Sequence, residues 1–242
     1  MSHHDHKTPV RHDVSLLTQD DVFLFNEGSH FRLYDKLGAQ PMERDGENGV
    51  YFAVWAPNAE RVAVMGSFND WHKESHPLAA RENSGIWEGF IPGLEQGVVY
   101  KYHIRSRYNG YGVDKTDPFA FYTELSPQTA SVAWDLGYDW RDGGWMDNRS
   151  EANALSAPIA IYEMHMGSWM HASDEHRSLN YRELAPKLSE YLIKMGFTHV
   201  EFLPIMEHPF YGSWGYQCLG YFAPTSRFGP PQDFMYLVDH LH

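Results

Sequence analysis

The sequence predicts a multidomain protein in which an all-β, immunoglobulin-like sandwich is followed by the first βα units of a truncated (β/α)8 barrel. Between Gly49 and about Val132, short apolar runs of period two are separated by turn residues such as Pro57-Asn58 and Asn109-Gly110. Beyond residue 158 the order strand, helix, strand indicates a parallel unit. Two strands and two helices cannot close a barrel of about 250 residues, so this region resembles the beginning of a larger domain.

The chain divides into five predicted segments. They are a disordered leader over 1–22, a lead-in segment over 23–44, the β-sandwich over 45–130, a linker over 131–157 and the start of the barrel over 158–242. The leader carries His3, His4, His6 and His12, which lack a fixed scaffold for a metal ion, so no metal site is expected there.

Within the barrel segment, strands are predicted over 159–166 and 199–205, with a helix over 181–195 between them. The helix has apolar residues on one face, a capping box formed by Asn180 and Glu183, and Gly196 at its end. Because Pro186 lacks an amide hydrogen, we expect a short opening turn and a helix that restarts at that residue. A further helix begins near Pro231.

Composition excludes some partners and favours one compartment. The net charge of −13 argues against nucleic acid, which is bound through clustered cations. The single cysteine, Cys218, is typical of a reducing compartment, so a cytoplasmic location is expected. No apolar run approaches the roughly 18 residues of a transmembrane helix, so no membrane partner is expected.

The loop Gly212-Ser213-Trp214-Gly215-Tyr216-Gln217 is the strongest candidate for a binding site. It follows an apolar strand, and active sites of α/β enzymes collect where strands end. Two aromatic rings between glycines can lie flat against sugar rings.

Four sequence blocks extend this interpretation to a family. They are Phe52-Ala53-Val54-Trp55-Ala56-Pro57-Asn58-Ala59, Gly66-Ser67-Phe68-Asn69-Asp70-Trp71, Ile161-Tyr162-Glu163-Met164-His165-Met166-Gly167-Ser168-Trp169, and the block from Glu207 to Gln217. With these blocks, residues 23 to 242 resemble the N-terminal part of bacterial 1,4-α-glucan branching enzymes, members of the α-amylase family 13 glycoside hydrolases. An isoamylase-type debranching hydrolase and a non-catalytic α-glucan-binding protein are the alternatives.

The resemblance implies two sets of binding residues. Residues 45–130 would be a family-48-type carbohydrate-binding module, with Trp71, Lys101 and Tyr111 at its glucan site; Trp71 could instead close a turn by packing on its sheet. In the barrel loop, Tyr216 matches the tyrosine that stacks beneath the sugar beside the cleaved bond. Trp214 and Gln217 are further substrate-binding candidates, although each could instead brace the loop.

The resemblance also implies the reaction. The full-length protein would cleave α-1,4-glucan, in glycogen or amylose-like chains, and transfer the segment to a 6-hydroxyl by a retaining mechanism without cofactor or metal. The nucleophile and the acid/base would lie beyond residue 242, so the fragment alone is expected to be inactive. Glu163, Glu201 and the pair Glu207 and His208 are interpreted as hydrogen-bonding or loop-bracing residues rather than catalytic ones.

Overall fold

The computed structural model describes residues 9–172 and 177–242, which form two compact units. The first unit contains the chain up to Glu124 together with Gln128–Asp135 and Leu219–Ala223. The second contains Leu125–Pro127, Leu136–Cys218 and Pro224–His242.

Thirteen strands are found in the described part of the chain. They are β1 (Gly38–Arg44), β2 (Glu47–Trp55), β3 (Ala59–Gly66), β4 (Ala79–Arg81), β5 (Ile86–Pro92), β6 (Val99–Ser106), β7 (Gly112–Lys115), β8 (Tyr122–Thr123), β9 (Ser131–Val132), β10 (Ile161–Met164), β11 (His199–Phe202), β12 (Met206–Glu207) and β13 (Gly220–Pro224). The α-helices are α1 (Gln19–Glu27), α2 (Gly143–Ala152), α3 (Met166–Trp169), α4 (Tyr181–Met195) and α5 (Pro231–Leu241).

The first unit is built on two antiparallel sheets. One has the strand order β1-β2-β5-β4, and the other has the order β3-β6-β9-β8 with β7 also paired to β6. Val50, Phe52 and Val54 of β2 share one buried cluster with Val64 of β3 and Tyr100 of β6. The two sheets therefore pack face to face, which confirms the expectation of an all-β sandwich.

The core of this unit also holds a buried carboxylate. Asp117 accepts hydrogen bonds from the hydroxyls of Tyr100 and Tyr102 at 2.6 and 3.1 Å and from the backbone amide of Phe119 at 2.8 Å. Burial raises the pKa of Asp117 to about 6, although its hydrogen bonds oppose this shift.

The prediction of a disordered leader over 1–22 is wrong for residues 9–22. Val14, Leu17 and Val22 are buried against the face of β2 that carries Tyr51 and Ala53. Thr18 caps α1, so the segment gains both a helix and apolar burial. His3, His4 and His6 lie outside the described residues.

The segment predicted as a linker over 131–157 contains two regular elements. Ser131 and Val132 form β9 and pair with β6 and β8, and α2 follows at Gly143–Ala152. The sequence pattern does not predict β9, because a strand of two residues is too short to show alternation of apolar and polar side chains.

The second unit contains a parallel strand pair with a helix between its members. Ile161–Met164 pairs with His199–Phe202 in parallel register, and α4 lies between them in the chain. Both partners of the predicted capping box are present, since Asn180 accepts from the amide of Glu183 and Glu183 accepts from the amide of Asn180. The barrel itself stays a prediction.

The predicted helix restart at Pro186 is wrong, because α4 runs unbroken through that residue. A proline at the sixth helical position removes only one backbone hydrogen bond near the helix start. Leu184, Ala185 and Leu188 are fully buried around it, and we attribute the continuity of the helix to this packing.

None of the helices over residues 9–172 and 177–242 is both long and apolar enough to cross a membrane.

Candidate functional site

The aromatic loop of the second unit is held in a tight, defined conformation. Tyr211–Ser213 form a turn of 3-10 helix, and Trp214 follows with a left-handed backbone (φ 54°) while its amide donates to the carbonyl of Tyr211 at 3.0 Å. Tyr216 is 67% exposed and Trp214 is 56% exposed. Gln217 is exposed as well. The loop therefore presents the three predicted side chains to solvent on a fixed backbone.

Two glycines make this conformation possible. Gly215 has φ 87°, and a Cβ placed there would lie 2.3 Å from the carbonyl oxygen of Pro204. Gly167, in α3, lies so close to the loop that a Cβ would be 2.2 Å from the hydroxyl of Tyr211. The loop is thus packed tightly against the segments that follow β10 and β11.

His165 forms part of the same site. It follows β10 directly, and its ring centroid lies 6.0 Å from that of Tyr211 and 5.9 Å from that of Trp214. Its Nδ1 lies 2.9 Å from the hydroxyl of Ser168. Burial of the ring, and secondarily the nearby His208, lowers the pKa of His165, which favours the neutral ring at pH 7. Sequence reasoning did not single out His165, although its place at the end of a strand could have indicated it.

The base of the loop is joined to the chain that follows β13 by a buried carboxylate. Glu207 accepts from the guanidinium of Arg227 at 2.8 Å, from the hydroxyl of Thr225 at 3.1 Å and from the amide of Ser226 at 2.7 Å. The side chains of Glu207 and Arg227 are only 4% and 11% exposed. A carboxylate engaged in this way is poorly suited to attack a substrate, and the geometry fits a bracing role.

His208 is buried beside this carboxylate. Its Nδ1 lies 2.9 Å from the carbonyl oxygen of Met206, so Nδ1 is the donor of this hydrogen bond. Its Nε2 is buried and has no hydrogen-bond partner within residues 9–172 and 177–242. Glu207 and His208 are therefore each committed to neighbouring groups and do not form a hydrogen-bonded acid/base pair through Nδ1.

Two further carboxylates lie side by side on the parallel strands. Glu163 of β10 is the register partner of Glu201 of β11, and both are exposed. The described residues of the second unit thus supply aromatic surfaces, a histidine and carboxylates at or near strand ends. This arrangement is suited to holding a polar molecule with apolar ring faces.

In the first unit, the three residues predicted as one glucan site have their backbones on β6 or bonded to groups at its two ends. Lys101 pairs in register with Met65, and its ammonium donates to the hydroxyl of Thr129 at 2.9 Å. Trp71 is bonded through its amide to Gly66, the register partner of Tyr100.

Tyr111 lies at the other end of the same strand. Its carbonyl accepts from the amide of Ser106, six residues beyond Tyr100 on β6. At about 3.3 Å per residue, the backbone anchors of Trp71 and Tyr111 are about 20 Å apart. Lys101 lies at the Trp71 end of β6, and a glucan site shared by the three residues stays a prediction.

This chain is similar in sequence to a known family of domains and to several known proteins. The family model for carbohydrate-binding module 48 (isoamylase N-terminal domain) matches residues 36–120. The 1,4-alpha-glucan branching enzyme GlgB of Aquifex aeolicus is 56% identical over 230 residues, and GlgB of Albidiferax ferrireducens is 57% identical over 223 residues. This chain is therefore similar, over most of its length, to branching enzymes named GlgB.

The match covers 94% and 92% of this chain but only 36% and 35% of those two GlgB relatives, so the chain spans about a third of their length. Among solved structures, an amylase-like protein from Salmonella typhimurium aligns with a TM-score of 0.65 at 26% identity, covering 85% of this chain and 31% of the other. The similarity to GlgB and to this structure therefore includes both units.

No group of three or more histidine, cysteine, aspartate or glutamate side chains in the described ranges is arranged to hold a metal ion. The residues of the loop that are predicted to bind substrate are aromatic or neutral polar groups, which are poor ligands for hard cations.

Proposed function

We propose that the protein to which this chain contributes is a 1,4-α-glucan branching enzyme. It would cleave an α-1,4-glucan chain and transfer the released segment to a 6-hydroxyl with retention of configuration. The observation that supports this most directly is the exposed Tyr211–Gln217 loop beside His165, in a chain 56% identical to a GlgB enzyme.

In this proposal the second unit is the first part of a (β/α)8 barrel. The parallel strands β10 and β11 with α4 between them form one βα repeat, and α5 follows as the next helix. Tyr216 stacks beneath the glucose unit at the cleaved bond, because an electron-rich ring face stabilises the positive charge that develops there. Trp214 and Gln217 contact neighbouring sugar units.

The first unit, in the same proposal, is an α-glucan-binding or supporting module with Trp71 and Lys101 at one end of the sheet and Tyr111 at the other. The glucan would be glycogen or an amylose-like chain. A cytoplasmic location, without nucleic-acid or membrane partners, belongs to the proposal as well and rests on the single cysteine and the net charge of −13.

A debranching hydrolase is the second candidate, because the matching module is also described as an isoamylase N-terminal domain. The two reactions differ in their products. A branching enzyme forms α-1,6 linkages and leaves the number of reducing ends unchanged. A debranching hydrolase cleaves α-1,6 linkages and creates one new reducing end for each bond cleaved.

The role of Tyr216 is tested by titrating the 242-residue chain with maltoheptaose. Tyr216→Phe keeps the ring and should bind within about twofold of the original chain, whereas Tyr216→Ala should bind about fivefold to tenfold more weakly, the scale of one aromatic contact. Equal affinities for the alanine variant and the unmodified chain would contradict the stacking role.

The reaction is tested with amylose and iodine. The full-length protein should shift the iodine stain of amylose, and the 242 residues alone should not, because the proposal assigns both reactive carboxyls to later strands. A stain shift produced by the purified 242-residue chain would overturn that assignment.

A further inference from the structure

A pocket in the first unit has a cationic lining, although the chain as a whole carries a net charge of −13. It has a volume of about 380 Å³ and lies on β3 and β6 beside the segment 73–78, with Trp87 of β5 also in its wall. This size is at the lower end of the range for pockets that hold small ligands. Three lining side chains, Arg61, Lys73 and Arg105, are cations, whereas Glu74 alone is a carboxylate.

Two of these cations are opposite each other in the sheet. Arg61 of β3 is the register partner of Arg105 of β6, so both side chains project from the same face of the sheet. This face is the one away from the buried core cluster that contains Val62. Like charges directly opposite each other on neighbouring strands are destabilising. An anion bound between the two guanidinium groups would remove this repulsion.

Both guanidinium groups have donors available for an anion. The guanidinium of Arg61 has no hydrogen bond or ion pair with any residue over 9–172 and 177–242. That of Arg105 is paired with Glu60, but Nε and the carboxylate oxygen are 3.6 Å apart, which is longer than a hydrogen bond. Both arginines are exposed. Because a guanidinium presents its N–H groups as a planar fork, the pair is suited to the oxygens of a phosphate group.

The neighbouring cations are held in place by a carboxylate that does not line the pocket. Asp114 lies 2.8 Å from Nζ of Lys73 and 2.7 Å from Nδ1 of His103. Burial opposes ionisation of Asp114, but the hydrogen bonds from Lys73 and His103 outweigh it and lower the pKa of the carboxyl. Asp114 is therefore already bonded on both sides, and the two arginines remain as the anion-binding groups of the pocket.

The rest of the lining suits the uncharged part of a ligand. Leu78 is buried and Trp87 is half-buried, and both contribute apolar surface to the wall. The indole N–H of Trp87 donates to the carbonyl of Ala56 at 3.1 Å, which fixes the ring. Glu74 is exposed and can accept hydrogen bonds from hydroxyl groups. The pocket thus combines an anion-binding pair, an apolar wall and an acceptor for hydroxyls.

We propose that this pocket is a binding site for a phosphorylated hexose, whose phosphate group lies between Arg61 and Arg105. The sugar ring then lies against the apolar wall, and one of its hydroxyls donates to Glu74. A phosphate ion alone would leave the apolar wall unused and would gain nothing from the Glu74 carboxylate. The site goes beyond the proposed function, since transfer of a glucan segment uses no phosphate group.

The test titrates the 242-residue chain with glucose 6-phosphate by isothermal titration calorimetry, and with glucose and inorganic phosphate in separate experiments. Glucose 6-phosphate should bind at one site, and the other two should bind at least about fivefold more weakly, because each uses only part of the lining. Arg61→Gln and Arg105→Gln should each weaken binding about tenfold, the scale of one charge-assisted hydrogen bond. Arg44→Gln, which removes an exposed arginine of β1, is the control and should stay within about twofold.

The melting temperature of each variant without ligand should stay close to that of the original chain, because the loss of one guanidinium relieves the cross-strand repulsion. Weaker binding then reflects the lost contact rather than unfolding. A lack of saturable binding of glucose 6-phosphate, or equal affinities of Arg61→Gln and Arg44→Gln, would overturn the site. Equal affinities for glucose 6-phosphate and inorganic phosphate would overturn the assignment of a sugar. None of these results involves the aromatic loop, so the proposed function is tested separately.

Discussion

Glu207 and Arg227 form an almost completely buried ion pair, with carboxylate and guanidinium atoms 2.8 Å apart, although the two residues are twenty positions apart in the chain. Because the pair joins the base of the aromatic loop to the chain after β13, its removal should loosen the loop. Arg227→Met leaves the carboxylate buried without its cation, and we expect a loss of about 3 kcal/mol in unfolding free energy. Urea unfolding followed by circular dichroism measures it.

The matched control is Arg105→Met, which breaks the exposed pair between Arg105 and Glu60. Exposed pairs contribute little, so this variant should lose less than about 1 kcal/mol. Equal losses for the two variants would show that the buried pair does not brace the loop.

The buried Asp117 should make stability fall as pH rises from about 4 to about 6. Its pKa is raised to about 6 in the folded protein, above the ordinary value of 3.8. The folded state therefore holds the proton in this window while the unfolded state has lost it, so the contribution to stability is present below the window and is lost above it. In Asp117→Asn, which cannot titrate, this component of the pH dependence should disappear.

The measurement for Asp117 is the unfolding free energy at several pH values between 4 and 7, compared between the original chain and the variant. The control is Asp35→Asn, which removes an exposed carboxylate of the same unit. The difference in unfolding free energy between the original chain and this control should stay constant over that pH window. Parallel curves for the original chain and Asp117→Asn would mean that Asp117 is ionised throughout.

The close approach of Gly167 to Tyr211 predicts a specific pair of substitutions. Gly167→Ala places a methyl group 2.2 Å from the Tyr211 hydroxyl, so the ring must move, and we expect a loss of about 1–3 kcal/mol in stability. Tyr211→Phe removes the nearest atom and should recover part of this loss in the double variant. A double-mutant cycle by urea unfolding gives the coupling.

A coupling near zero would contradict this geometry, since it would mean that alanine at position 167 and the hydroxyl at position 211 act independently. Glucan affinity should fall in Gly167→Ala and recover in part in the double variant, because Tyr211 is the first residue of the helical turn that leads to Trp214.

Because the backbone anchors of Trp71 and Tyr111 lie at opposite ends of β6, their contributions to glucan binding should be independent. Trp71→Ala and Lys101→Ala act at one end of β6 and should be non-additive in retention on a glycogen gel. The loss of retention caused by Tyr111→Ala should simply add to the loss caused by either of the other two substitutions. Trp71→Ala should lower stability by no more than about 1 kcal/mol.

Tyr108→Ala serves as the control for Tyr111, because both side chains are exposed in the turn between β6 and β7. Strong coupling between Trp71 and Tyr111 would show that one glucan chain contacts both, contrary to the separation of their backbone anchors.

Local sequence pattern was sufficient for much of this protein. Alternation with period two located β2, β3, β5 and β6, apolar faces located α4 and α5, and capping residues supported α4. The glycines around Trp214 and Tyr216 likewise indicated a tight loop, since Gly215 adopts a backbone conformation that other residues rarely take. Each of these signals is set by neighbours within a few residues.

The tertiary structure decided the features that depend on distant residues. The order of residues 9–22 comes from burial of Val14 and Leu17 under β2, and the unbroken α4 comes from packing around Pro186. The register of β6 fixes where the backbones of Trp71 and Tyr111 are anchored. Likewise, His165 contacts Trp214, and Arg227 pairs with Glu207, only because strands and loops far apart in the chain meet. No local periodicity encodes such contacts, because packing and register fix them only when the whole fold forms.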